Sequence, residues 1–403
     1  MNLEHLLTED QHQLRSTIRE FTQKEIIPNA KKLEADYSLV EVVLQKLVDM
    51  GIQAAGHPVE YGGDGGISHM SMGIIREELS KGDVGVSLTT LMNSGVVLGA
   101  AVRANNRVVL DRFAPLFLTG KLAYACSAMT DEAGGCDTEN PLLHGAGIKT
   151  IAKLEGDEWV INGSKAWPTN GGLAEVYLTT CTTDPNVGDK GVALIYVPKD
   201  AEGLAFGKFE KKMGHKTSMN ASVYYDNVRV PKQYRAAGPG IDGEIFKASL
   251  TDAQWSSATE SLGIAERAFE IVMDYTGTRM GGFKPVRQHS IVAGILADMS
   301  IGIEMMRAGV YNLSWMFDHP EQYGSPVTPE FTAKATAVRV YCNDTAIEIV
   351  NRGAELLGSI GISEDFPYEK CLRDAKISQI VLGGKQTGQY RIALGHYDLK
   401  NWA

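Results

Sequence analysis

The sequence predicts an α+β chain in which a helical segment, a β-rich segment and a second helical segment follow one another. Three observations carry this. Up to about Asn105 apolar residues recur at helical spacing, as in Leu14, Ile18, Phe21 and again Val43, Leu44, Leu47, Val48. Between Ala123 and Pro231 the pattern turns β-rich and is cut by Gly, Asn, Asp and Pro. After Gly243 helical spacing returns and persists to about His396. The expected boundaries are 1–120 for an N-terminal helical domain, 121–238 for a central β domain and 239–403 for a C-terminal helical domain. Segregated rather than alternating elements argue against a Rossmann enzyme.

At the start of the first segment, Thr8 and Gln11 have the spacing of a helix capping box. The helical pattern breaks at His57-Pro-Val-Glu-Tyr-Gly-Gly-Asp-Gly-Gly66, which is rich enough in glycine to suggest a phosphate loop. No P-loop lysine with Ser/Thr follows and no strand precedes it, so a dinucleotide reading is weak. Four strands are expected around Trp159–Ser164, Val176–Thr180, Val192–Pro198 and Ser222–Pro231, and three long helices around Asp252–Arg279, Ser290–Phe317 and Thr328–Leu357.

Composition narrows the class. With 403 residues, 44% hydrophobic and 22% charged, the chain has the make-up of a soluble globular protein able to bury large cores. Its 39 Lys plus Arg against 49 Asp plus Glu, without basic clusters, argue against nucleic acid. The five cysteines are odd in number and unpaired in spacing, which suits reduced thiols and no zinc or redox motif, so no metal is expected. The opening residues carry acids where a secretory signal would be basic, and no apolar run approaches the roughly 20 residues of a membrane span. A soluble, cytoplasmic protein is the expectation.

Four stretches carry a resemblance. Arg373-Asp-Ala-Lys-Ile377, followed by Gly383-Gly384, resembles the C-terminal signature of the acyl-CoA dehydrogenase family. Ala128-Met-Thr-Asp-Glu-Ala-Gly-Gly-Cys-Asp137 is similar to its Thr-Glu-Pro-x-x-Gly-Ser-Asp segment, Lys165-Ala-Trp-Pro-Thr-Asn-Gly-Gly172 to its Lys-x-x-Ile-Thr-Asn-Gly loop, and Met213-Gly-His-Lys-Thr-Ser218 to its Met-Gly-x-Arg-x-Ser turn. The glycine-rich break at Pro58–Gly65 also resembles a linker between its early helices. The resemblance implies an N-terminal helical domain, a central β domain and a C-terminal four-helix bundle, holding FAD and oxidising an acyl-CoA substrate.

Residue by residue, it points to Met129, Thr130, Gly135, Cys136, Trp167, Thr169, Gly384 and Gln386 as FAD contacts, with Arg279 and Gly358 offered by a second subunit of a homodimer or homotetramer. The residues agree with this. An isoalloxazine ring wants an aromatic wall and a few hydroxyl and backbone donors, which Trp167, Thr130 and Thr169 can supply, and the Arg279 fork suits a pyrophosphate. The competing readings are a buried sheet tryptophan for Trp167 and a plain turn for Thr169–Gly172. Glu355 stands where the family has an amide, and a carboxylate cannot donate the same hydrogen bond.

One departure matters most. The family's catalytic glutamate directly precedes the first glycine of the signature, and here that residue is Leu382, after Val381. In branches that place the base on the first C-terminal helix, the matching positions are Ala253 or Gln254, with Asp252 one residue away as the nearest candidate base. Relatives that oxidise cyclic acyl-CoA esters use an aspartate of the N-terminal domain, yet the comparable stretch Leu88–Val96 contains no acid. The expectation is an FAD-dependent dehydrogenase of an unusual acyl-CoA, with proton abstraction away from the usual α carbon and electrons leaving through an electron-transfer flavoprotein. The alternatives are a flavin monooxygenase or acyl-carrier-protein oxidase on the same fold, and a flavin-binding homologue without turnover.

Overall fold

The structure, a computed structural model, describes residues 6–134 and 136–397. The first segment folds into α1 (Glu9–Phe21), α2 (Ala30–Ala35), α3 (Tyr37–Asp49), α4 (His69–Gly82), α5 (Val84–Leu91), α6 (Gly99–Arg103) and α7 (Arg107–Phe113). Thr8 and Gln11 do form the reciprocal capping box at the start of α1. The glycine-rich break is a loop and not a phosphate cradle on a strand. A Cβ at Gly63 would lie 2.2 Å from the His57 carbonyl oxygen, so the chain needs a bare backbone to fold back there. Helix α4 is buried almost all round, and its charges are paired inside: Arg76 with Glu260 at 2.7 Å and Glu78 with Arg19 at 2.7 Å.

The middle segment is one seven-stranded sheet: β1 (Ala125–Ala128), β2 (Ile151–Glu155), β3 (Glu158–Lys165), β4 (Val176–Thr182), β5 (Val192–Pro198), β6 (Leu204–Phe206) and β7 (Val223–Pro231). Its order is β1-β4-β2-β3-β7-β6, with β5 also paired to β4. The four strands expected from the sequence are β3, β4, β5 and β7. The sequence did not reveal β1, β2 and β6, because three or four residues are too few to show alternation and β2 carries a mostly polar, exposed face.

The last segment is a four-helix bundle. Helix α8 (Ile241–Thr278) runs alongside α11 (Pro329–Leu357) in the same direction, since Thr251 meets Thr332 at 3.1 Å and Ser261 meets Asn343 at 2.8 Å. Between them α9 (Ser290–Asp318), followed by the short α10 (Pro320–Tyr323), runs back: Trp255 donates to Ser314 at 2.8 Å and Glu266 pairs with Arg307. The fourth position is a broken helix, α12 (Glu369–Ile380) then α13 (Gly384–Leu394), antiparallel to α11. Helix α8 starts eleven residues before the expected Asp252. Gly238, Pro239, Gly240 and Gly243 read as a loop, yet Gly243 lies within the helix, where a Cβ would press to 2.6 Å from the Asp189 carbonyl.

Among the described residues no helix is long and apolar enough to cross a membrane, and no cluster of His, Cys, Asp or Glu is set to hold a metal ion. Cys126, Cys181, Cys342 and Cys371 are buried free thiols.

Candidate active site

Two loop motifs meet where β1 and β3 end. The carbonyl of Met129, which packs beside the core against α8, accepts the Lys165 ammonium at 2.8 Å, and the buried Lys165 also pairs with Asp131 at 2.8 Å. The Thr130 carbonyl accepts the Ala166 N–H at 2.7 Å. Just beyond, Trp167 turns through φ +48° and presents its indole 54% exposed, while its carbonyl is held by Asn220 at 2.7 Å. Thr169 is half-buried and bridges to Asn220. The reading of Trp167 as a buried sheet residue is overturned: a large aromatic in left-handed backbone and open to solvent is held there by its loop, at a cost of roughly 1–2 kcal/mol. Asn170, which the sequence reading did not single out, is wholly buried. Its Nδ2 donates to the Ala125 carbonyl at 2.9 Å and its Oδ1 has no protein partner.

The break in the fourth helix faces this place. Val381–Gly383 forms a single turn with Leu382 at φ +55°, and Gly384 follows at φ +62°. Arg339, fully buried on α11, donates to the carbonyls of Val381 at 3.1 Å and Gly384 at 2.8 Å, and so fixes the break from behind. The turn Cys136–Glu139 packs directly onto Val381–Gly383. Gly135 lies outside the described residues, and Cys136 opens that turn. Gln386 is exposed and, with Gly384, borders a cleft of about 740 Å³ between α11 and the end of α12.

A second cavity of about 500 Å³ is bordered by the end of the Cys136–Glu139 turn. Its walls come from Thr138 and Glu139, from Phe246 and Leu250 on α8, from Thr332 on α11 and from Arg391 on α13. That volume lies in the range of small-molecule sites, and the mix of apolar walls with a few charged groups is what such a site requires. Glu139 joins the two regions. It is buried, accepts the Thr130 hydroxyl at 3.0 Å, and its backbone carbonyl accepts an N–H of Arg391. Burial pushes its carboxyl above the usual range, against the Thr130 hydrogen bond and the charges of Arg391 and Arg339.

Other expected residues sit elsewhere. Arg279 is exposed at the C-terminal end of α8, and Gly358 ends α11 at φ +66°. Because α8 and α11 are parallel, both lie at one end of the bundle, and they are not part of the Thr130–Trp167 loops. Asp252 is spoken for: its two oxygens are 3.2 Å from His69 and 3.1 Å from Arg103. Those hydrogen bonds and charges outweigh burial and hold its carboxyl below the usual range, which makes it a poor proton acceptor. The Arg373–Asp374 pair of the signature ties domains together. Arg373 grips Glu34 at 2.9 Å and the Met213 carbonyl at 2.8 Å, and Asp374 accepts the His215 N–H at 2.7 Å.

Comparison with known proteins decides the family. Residues 8–121, 126–228 and 243–394 match the models for the acyl-CoA dehydrogenase N-terminal, middle and C-terminal domains respectively. The Mycobacterium tuberculosis protein named "Probable acyl-CoA dehydrogenase FadE25" is 31% identical over 380 residues, covering 94% of this chain and 93% of that protein. The chain belongs to the acyl-CoA dehydrogenase family. As a member it is an oxidoreductase acting on the CH–CH group of acyl-CoA, and the family's enzymes are flavoproteins. The human mitochondrial short-chain specific acyl-CoA dehydrogenase is 27% identical over 390 residues, covering 97% of this chain and 90% of that one. The butyryl-CoA dehydrogenase of Megasphaera elsdenii superposes with a TM-score of 0.85 at 27% identity, over 96% of this chain and 98% of that chain. In this member of the family the residue directly before the glycine pair Gly383-Gly384 is Leu382.

Glu139, Asn170, Arg339 and Arg391 are the candidate-site residues that sequence reasoning did not single out. Arg391 had a faint signal, seven residues after Gly384 and so on the same helix face. Glu139 had none, since Thr-Glu-Asn-Pro in a loop reads as surface.

Proposed function

We propose that this acyl-CoA dehydrogenase is FAD-dependent and acts on a cyclic or otherwise unusual acyl-CoA, removing a proton from a carbon other than the usual α position. The observation that carries this is Leu382: the turn between α12 and α13 presents an alkyl group where the signature leads to a carboxylate. General acid–base help contributes roughly 10²- to 10⁴-fold, so an ordinary α,β-dehydrogenation would lose that much here.

The residues fit a flavin. The indole of Trp167 offers a flat wall, and Thr130 and Thr169 offer hydroxyls. Asn170 Oδ1 and the Nε atoms of Arg339 and Arg391 are buried without protein partners. Met129, Thr130, Gly135, Cys136, Trp167 and Thr169 hold the cofactor from one subunit, with Gly384 and Gln386 at the start of α13. Arg279 and Gly358 come from a second subunit of a homodimer or homotetramer. FAD, when bound, supplies a hydride acceptor at N5. The chain's own residues orient the thioester in the 500 Å³ cavity and exclude water from it.

Electrons leave through an electron-transfer flavoprotein. Two observations support this: no dinucleotide fingerprint precedes a helix, and a structure titled "Electron transferring flavoprotein of Acidaminococcus fermentans" superposes with a TM-score of 0.85 at 27% identity.

Anaerobic stopped-flow mixing with straight-chain and cyclic acyl-CoA thioesters tests the reading. Cyclic thioesters should bleach the bound flavin without exchange of the α proton. Fast bleaching by straight-chain thioesters with α exchange refutes the substrate assignment, oxygen consumption in place of bleaching refutes the dehydrogenase, and a colourless protein that takes up no FAD ends the whole reading.

A further inference from the structure

We propose that Lys212 is a positioning residue for the cofactor's aromatic wall: its ammonium orients the Asn220 amide, and the oriented amide holds the Trp167 loop in place. The proposal rests on the function given above, in which the Trp167 indole lies against the flavin.

The link runs through the excursion 207–222 between β6 and β7. Its two arms are joined by the Gly207 N–H on the Ser222 carbonyl and the Glu210 N–H on the Asn220 carbonyl, both at 2.9 Å. Between the arms the Lys212 ammonium donates to the Ser218 carbonyl at 2.5 Å and to Asn220 Oδ1. Asn220 Nδ2 then donates to the Trp167 carbonyl at 2.7 Å. Chemistry sets the direction of this chain. An ammonium only donates and a carbonyl only accepts, so the amide between them has one workable orientation, oxygen toward Lys212 and nitrogen toward Trp167. Without Lys212 the amide is free to turn over, and its oxygen would then repel the Trp167 carbonyl.

The Trp167 loop needs such a hold. Trp167 stands at φ +48° with its indole 54% exposed, and a bulky residue in left-handed backbone persists only where its surroundings fix it. The rest of the loop leans on the same arm. Asn170 donates its backbone N–H to the Met219 carbonyl at 2.8 Å, and Thr169 bridges to Asn220. Lys212 is itself half-buried, and burial opposes its charge, which Asp374 on α12 and Asp83 ahead of α5 support. Three residues further on, Asp374 accepts the His215 N–H at 2.7 Å, so the hold on Trp167 is anchored on the bundle.

The test uses the full chain with FAD bound and after FAD is stripped. Two readouts are taken: FAD affinity by fluorescence titration of the stripped chain, and amide hydrogen exchange over residues 166–173 by mass spectrometry without FAD. Lys212→Met keeps the length and removes every donor, and it should weaken FAD binding roughly tenfold and speed exchange over 166–173. Lys212→Arg, which also only donates, should stay within about threefold of wild type in FAD affinity. Asn220→Ala should match Lys212→Met, and the double variant should bind no more weakly than Asn220→Ala alone, because the two residues act in series. Should Lys212→Met fail to fold, Asn220→Asp keeps an acceptor for Lys212, removes the donor to Trp167, and should show the same two losses. FAD affinity within about twofold of wild type in Lys212→Met or Asn220→Asp, Lys212→Arg as weak as Lys212→Met, or losses that add in the double variant overturn the assignment. Wild-type chain that takes up no FAD refutes the function beneath it, and exchange over 166–173 then decides by itself whether Lys212 holds the Trp167 loop.

Discussion

Leu382 occupies a left-handed backbone position that costs a branched residue on the order of 1 kcal/mol relative to glycine, and it is held there by Arg339 gripping the carbonyls on either side. The backbone there is fixed whatever the side chain, so the position can be tested by changing the chemistry alone. Wild-type enzyme should not exchange the α proton of a saturated acyl-CoA with D₂O, whereas Leu382→Glu should gain that exchange. The new carboxyl, partly desolvated, would titrate above the usual range, so the gained rate should climb with pH before levelling. Mass spectrometry of the recovered thioester decides it, and α exchange in wild type at the turnover rate would show that another base serves the usual position. Trp167→Ala should lower bound FAD per chain at least tenfold, read from the visible spectrum of the purified protein, and full FAD content would remove the indole wall from the cofactor's site.

At the scale of elements, α4 starts with a histidine clamped by two other helices. His69 lies 3.2 Å from Asp252 on α8 and 3.3 Å from Asp318 at the end of α9, and stacks on Phe317. Burial alone would lower its pKa, but the two carboxylates overcome that and push it up to about 9. A folded-state pKa above the unfolded value of about 6.5 means stability that is complete below pH 6.5 and lost as pH rises through about 9. The urea midpoint of wild type should therefore exceed that of His69→Gln at pH 6, and the gap should narrow by pH 10. A gap of the same size at both values would mean that His69 acts by packing alone. Helix α12 has a similar task. Asp374 is buried between the His215 backbone N–H and Lys370, and its pairing joins the bundle to the β domain. Asp374→Ala should cost about 3 kcal/mol in urea unfolding, with Lys370 left short of a partner in the interior. A loss under 1 kcal/mol would mean that Asp83 and Glu34, which also face Lys370, carry the clamp.

For the whole molecule, the end of the bundle where α8 and α11 finish is unusually bare. Phe283 is fully exposed, and Met280, Ile291 and Ile362 stand exposed around Arg279 and Gly358. Apolar groups gathered at one end mark a surface that association would cover. Light scattering should give a dimer or tetramer, and FAD at 100 times its dissociation constant should stabilise the assembly by about 2.7 kcal/mol. Arg279→Glu should lose most of that FAD stabilisation while the Thr130 and Trp167 loops stay intact, and a monomer that binds FAD as tightly with either residue would refute a partner-supplied arginine. The sequence by itself determined the three-part order of helix, sheet and helix, the family and the positions of the Thr130 and Trp167 motifs and of Leu382 before the glycine pair, because periodicity and motif spacing are local properties of a chain. It left Asp252 as the nearest candidate base, since adjacency along a helix is all that a chain read in one dimension offers. Only the tertiary structure engaged Asp252 with His69 and Arg103, brought Glu139 onto the Leu382 turn, and made Arg373 and Asp374 a link between domains. Those outcomes depend on burial and on contacts between residues up to 339 positions apart, and desolvation has no signature in sequence until the chain has closed around the group.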